Sequence, residues 1–203
     1  LPLLVRAVVK RAPQMPLILE EGYTHELLER LRHGEIDAAL VALPIAEAGL
    51  AQRDLYDEPF HVAIPAHHAW SRLKTIDAAR LKEETMLLLG AGHCLRDQVL
   101  EVCPDAARFS SSAEGIRRTF EGTSLETIRQ MVASGLGVTV IPASAIPVRP
   151  RRDDLIVYRP FAAPAPSRRV VIVCRRTYAR MPAIDAVAEA VRGTALPGVQ
   201  MLH

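Results

Sequence analysis

Short apolar runs alternate with longer amphipathic stretches along this chain, and that alternation restricts it to the α/β class. The clearest unit runs from Ser124 to Pro142. Ser124 stands where an N-cap belongs. Leu125, Ile128, Met131 and Val132 share one helical face, and Gly135 ends the helix. Val138–Pro142 follows directly as a strand.

The same reading extends over the rest of the chain. Leu1–Lys10 predicts a helix and Pro16–Glu21 a strand. Thr24 reads as the N-cap of a helix to His33, with Leu27, Leu28 and Leu31 inward and Gly34 as its stop. Ile36–Leu43 predicts a buried strand ending at Pro44, Phe60–Pro65 another strand, and Asp77–Glu84 a short helix. Thr85–Leu89 has the unbroken apolar run of a central parallel strand, interrupted by Gly90 and Gly92. Cys94–Val102 predicts a helix that Pro104 stops just past Cys103. Residues 105–122 are polar and aperiodic, and read as a mobile loop or weak helix. Leu155–Tyr158 and Val170–Cys174 predict strands, and Pro182–Gly193 a helix with Pro at its start and Gly at its end. Ala162–Pro166 is a linker candidate. Alternation on both sides of it predicts two α/β lobes with a ligand site between them, at the carboxyl ends of strands.

Composition excludes several classes. With 49% hydrophobic and 24% charged residues in 203, the chain has the apolar content of a folded protein rather than a disordered one. No run reaches the roughly 18 apolar residues of a membrane helix. The net charge of +2 does not call for a polyanion, and the scattered arginines read as solvated surface. Aromatic residues, at 4%, are too few for a single-strand stacking platform. Three cysteines, an odd number, do not make a secreted disulfide framework. No signal peptide is read, and Leu1 in place of Met predicts a fragment of a longer, cytoplasmic protein.

Cys94 and Cys103 are the informative pair. Nine residues of α-helix turn through about 900°, which puts the two thiols on opposite sides, and rise roughly 13 Å. A disulfide needs Cα atoms about 4.4–6.8 Å apart. The two sulfurs can therefore join only if the helix unwinds. Cys103 shares the apolar stripe with Leu95, Val99 and Val102. Cys94 faces the other way, beside Asp97 and Glu101. Its place at the helix start favours a thiolate. His93 adds a donor or a positive charge, and an ionised Asp97 works against it. Taken alone, Cys103 also fits a small core hydrophobe, and Cys174 within Val170–Cys174 reads as core. No Cys-x-x-Cys is present and no metal or cofactor site is predicted.

These residues carry a resemblance. Gly92-His-Cys-Leu-Arg-Asp-Gln98, with Cys103 nine positions past Cys94, resembles the redox motif of the peroxide-sensing LysR-type transcription regulators. Ser124–Pro142 resembles the helix–strand signature of LysR-type effector domains, and His33-Gly-Glu-Ile-Asp37 the turn and strand of their first lobe. The likeness runs from about Leu1 to Gly193. It implies a two-lobed α/β effector domain like the periplasmic binding proteins. Lobe I would comprise 1–57 and 168–203, and lobe II, with the redox cysteines, 58–167. The winged helix-turn-helix of such regulators is absent from this chain.

The resemblance further implies that Cys94 is the peroxidatic thiol, oxidised by hydrogen peroxide to a sulfenic acid, and Cys103 the resolving thiol. Thr24, His93, Asp97 and Arg169 match residues around the family's peroxide site. Thr24 reads equally as a plain helix cap, and Arg169 as a salt-bridge residue. The implied partners are hydrogen peroxide, further copies forming dimers or tetramers, promoter DNA through the missing domain, RNA polymerase, and a thiol reductant such as glutaredoxin or thioredoxin. The output would be activation of antioxidant genes in the cytoplasm, with no membrane contact and no enzymatic turnover. Two alternatives stay open: an effector domain for an ordinary small molecule with incidental cysteines, and a thiol peroxidase.

Overall fold

A computed structural model describes residues 2–45, 47–104, 120–147 and 154–202. In chain order its elements are α1 (Pro2–Arg11), α2 (Thr24–His33), β1 (Ala38–Ala42), β2 (Leu50–Pro65), β3 (Leu87–Leu89), α3 (Cys94–Val102), β4 (Phe120–Gly122), α4 (Leu125–Ala133), β5 (Thr139–Pro142), β6 (Ile156–Pro160), β7 (Ser167–Arg175), α5 (Met181–Arg192) and β8 (Gln200–Met201). They form two units, Leu1–Glu58 with Arg168–His203, and Pro59–Ser167. Glu58 belongs to the first unit, although its position was read into the second lobe. Its fully buried carboxylate accepts from Arg168 Nε at 2.8 Å there.

In the first unit β1 runs antiparallel to β7, from Ala38 opposite Cys174 to Ala42 opposite Val170. β7 neighbours β2, and β8 adds to β2 at Tyr56 and Asp57. The apolar run Val170–Cys174 is explained by burial of both faces of β7. Val171 and Val173 join Leu28, Leu31 and Val41 on one face. Ile172 and Cys174 join Leu55, Ile184 and Val191 on the other. Gly34 ends α2 at φ 82°, a backbone that an L side chain resists. Arg175 then gathers the carbonyls of Leu31 and Ile36, closing the turn into β1. Helix α1 packs on α5, and Arg11 pairs with Glu189.

Three readings of this unit are corrected. Tyr23, not Thr24, is the N-cap of α2, because the first helical bond runs from Leu27 N–H to the Tyr23 carbonyl. Pro16–Glu21 is not a strand. Its pattern fits an extended backbone, but among the described residues no neighbouring strand pairs with it, and Ile18 is 83% exposed. Strand β2 begins at Leu50, ten residues before the expected Phe60. The charges that disguised this stretch are ion-paired: Arg53 with Asp185, and Asp54 and Asp57 with Arg169.

In the second unit the far end of β2 lies between β5 and β6, antiparallel to both, with Val62 opposite Val140 and Arg159. Strand β3 runs parallel to β4, Leu87 opposite Phe120, and a parallel bridge links Met86 to Val138. The central parallel run expected at 85–89 therefore narrows to Leu87–Leu89. Its partner β4 is the last part of the polar stretch 105–122, a strand where a loop or weak helix is expected. Residues 105–119 of that stretch lie outside the described residues. The short helix expected at Asp77–Glu84 is a 3₁₀ helix, Ala78–Glu83, capped by Asp77. Ser124 caps α4 through the Thr127 N–H at 3.1 Å, and Ile128 and Val132 fix its inner face. Among the described residues no helix is long and apolar enough to cross a membrane.

Candidate functional site

The candidate site is built on α3 in the second unit. Gly92 adopts φ 94°, which lets the chain leave β3 and turn into the helix. His93 is the N-cap residue, with extended backbone at φ −78° and ψ 120°. Cys94 is the first helical residue, and the Arg96 N–H returns to the His93 carbonyl at 2.9 Å. The Cys94 thiol thus stands at the end of a helix where free backbone N–H groups favour negative charge.

The two cysteines differ in surroundings. Cys94 is half-buried, whereas Cys103 is 5% exposed. Cys103 caps the carboxyl end of α3, its N–H donating to the Val99 carbonyl at 2.9 Å. It belongs to the core cluster that holds Leu95, Val99 and Ile128. None of the three cysteines is in a disulfide. With α3 intact from Cys94 to Val102, the helical rise of roughly 13 Å keeps the two Cα atoms outside bonding range. Cys174 sits in the other unit among Ile172 and Ile184, and burial pushes its thiol pKa up. It is a core residue.

His93, Cys94 and Asp97 share the N-terminal turn of α3, Asp97 exposed and His93 half-buried. Thr24 and Arg169 belong to the first unit. Thr24 opens α2 and is half-buried. Arg169, on β7, gives two parallel hydrogen bonds to Asp57, at 2.7 and 2.9 Å, and a third to Asp54 at 2.8 Å. That fork holds the Asp57 carboxyl below the usual carboxylate range. The salt-bridge role weighed for Arg169 is therefore present.

Two residues at α3 escaped the sequence reading. Gln98 is only 8% exposed, a buried polar residue beside the apolar stripe of Leu95 and Val99. Arg96 Nη1 donates to the Leu89 carbonyl and to Glu121 Oε1, each at 2.7 Å. Glu121 lies in the stretch expected to be a loop or weak helix, so nothing in the one-dimensional pattern joined it to Arg96. Beneath α3 is a cavity of 10 Å³ bordered by Leu88, Leu95, Val99 and Ile128, about the space of one water. Among the described residues no group of three or more His, Cys, Asp or Glu is placed to hold a metal ion.

The α/β architecture agrees with the comparisons. Residues 1–195 match the model of the LysR substrate binding domain, and the chain belongs to that family. It is 41% identical over 183 residues to a Mycobacterium avium protein described as a probable hydrogen peroxide-inducible genes activator, covering 89% of this chain and 56% of that one. The reduced form of the OxyR regulatory domain from Pseudomonas aeruginosa is similar in structure, with a TM-score of 0.83 and 46% identity, over 94% of this chain and 89% of that one. The reduced form of OxyR from N. meningitidis gives a TM-score of 0.86 at 41% identity, over 100% and 92%. The chain spans just over half the length of the M. avium relative.

Proposed function

We propose that this chain is the hydrogen-peroxide-sensing regulatory domain of a LysR-type transcription activator, with Cys94 as the sensing thiol and Cys103 as its resolving partner. One observation carries the reading: a half-buried thiol opens α3 and a buried thiol closes it, both reduced. The names of the relatives, peroxide-inducible activators and OxyR domains, point the same way.

The Cys94 thiolate attacks one oxygen of hydrogen peroxide, the S–O bond forms, the O–O bond breaks, and the departing hydroxide takes a proton to leave as water. His93 and Asp97, on the same turn, are the nearby groups that hold or relay that proton through water. The product is a sulfenic acid. The Cys103 thiol then displaces its hydroxyl, forming the disulfide and a second water. That second step requires α3 to unwind, and the change of shape is the signal. In the longer protein the signal would pass through dimer or tetramer contacts to a promoter-bound domain and RNA polymerase. A cytoplasmic thiol reductant such as glutaredoxin or thioredoxin would reset it. One event per signal, with no turnover, distinguishes this role from that of a peroxidase.

The test is peptide-mapped mass spectrometry after one equivalent of hydrogen peroxide. The chain should lose two hydrogens, mapped to Cys94 and Cys103. Cys103→Ser should instead gain one oxygen at Cys94, trapped by dimedone, and Cys94→Ser should stay unmodified. A wild-type chain that keeps both thiols under these conditions is an effector domain with incidental cysteines.

A further inference from the structure

Arg96 does something that the two sulfurs do not require of it. Its guanidinium reaches back to the end of β3 and the middle of β4. There one nitrogen serves both the Leu89 carbonyl and the Glu121 carboxylate at 2.7 Å. The Arg96 side chain is 15% exposed and Glu121 49% exposed, so the pair lies across the rim of the core with its arginine end shielded. Leu89 is the last residue of β3, and Glu121 is the middle residue of β4, the strand β3 pairs with. One side chain therefore fastens the first turn of α3 to two strands at once.

We propose that Arg96 is a positioning residue for the redox switch, latching α3 in its helical, dithiol form through Glu121 and the Leu89 carbonyl. The inference rests on the sensing role of Cys94 and Cys103 given above. Arg96 stands between the two sulfurs in the sequence. Bringing their Cα atoms from roughly 13 Å to bonding range bends residues 94–103 into a ring. Arg96 gives up its hold on the two strands when that happens. Charge-assisted hydrogen bonds to a fixed carboxylate are stronger than neutral ones, so the latch weights the balance toward the dithiol. Its weight falls on the second step, disulfide closure, and not on the first.

The experiment equilibrates the chain with glutathione buffers, the protein dithiol and glutathione disulfide giving protein disulfide and two glutathiones. The thiols are then alkylated and read by mass spectrometry. Arg96→Gln and Glu121→Gln should each shift the equilibrium about tenfold toward disulfide, a midpoint about 30 mV more negative. Arg96→Lys, which keeps the charge but not the planar guanidinium that reaches both acceptors, should lie between them and wild type. The double variant should shift little more than either single one, since both remove the same contact. The rate of Cys94 sulfenic acid formation, measured with Cys103→Ser present, should stay within twofold. Ser124→Ala, which weakens the α4 cap in the same unit, controls for loss of stability and should leave the midpoint unmoved.

Unshifted midpoints in both Gln variants, with wild type forming the disulfide, overturn the latch and leave the sensing role intact. An equal shift in Ser124→Ala, or an altered first step with no shift, overturns it too. A wild-type chain that forms no Cys94–Cys103 disulfide overturns the sensing role, and the latch with it.

Discussion

Val99 offers the sharpest test of whether disulfide formation empties the core beneath α3. It is 3% exposed and packs with Leu95 and Ile128. Val99→Ala removes two buried methyl groups, worth about 0.8 kcal/mol each, and adds a cavity term. Alanine's better helix propensity returns about 0.5 kcal/mol. The net loss is about 1.5 kcal/mol in the dithiol form. If closing the ring lifts Val99 out of the core, the disulfide form loses almost none of this. The equilibrium then moves toward disulfide and the midpoint becomes more negative by about 30 mV. Glutathione-buffer titration with alkylation and mass detection reads the shift, and urea unfolding of the dithiol reads the lost stability. Val132→Ala, at a site 0% exposed on α4, should cost comparable stability with no change in potential. A Val99→Ala chain that is less stable yet titrates at the wild-type potential would refute the reasoning, because Val99 would then stay buried in the disulfide form.

Gly137→Ala would set a Cβ 2.3 Å from the Thr85 carbonyl oxygen, a backbone atom that cannot swing aside. It should force apart the Thr85–Val138 and Leu87–Val138 hydrogen bonds and cost about 2–3 kcal/mol in a urea unfolding curve. Gly49→Ala meets open space at φ 84° and should cost only about 1 kcal/mol. Burial pushes the Tyr56 phenol up to about 12, with the Glu58 carboxylate adding to the shift. The folded chain thus holds that proton more tightly than the unfolded one. The associated stability is complete below an unfolded pKa of about 10 and is lost as pH rises toward 12. Tyr56→Phe should flatten that part of the alkaline unfolding profile, and an unchanged profile would contradict the assignment.

Whatever depends on neighbours along the chain is legible in one dimension. The cap, the apolar face and the stop of α4 all lie within one short segment, and so does the unbroken apolar run that marks Val170–Cys174 as a strand. The conflict between Cys94 and Cys103 is likewise local: helical periodicity alone put the sulfurs on opposite faces, and α3 runs between them as that required. Tertiary structure decided what depends on a distant partner. Pro16–Glu21 has the pattern of a strand and no strand beside it, while the charged start of β2 is a strand because its charges meet Asp185 and Arg169. Phe120–Gly122 became β4 by lying along β3, and only that pairing carried Glu121 to Arg96. A backbone hydrogen bond or an ion pair is satisfied by whatever partner the fold delivers, and no periodicity within either segment records which one that is.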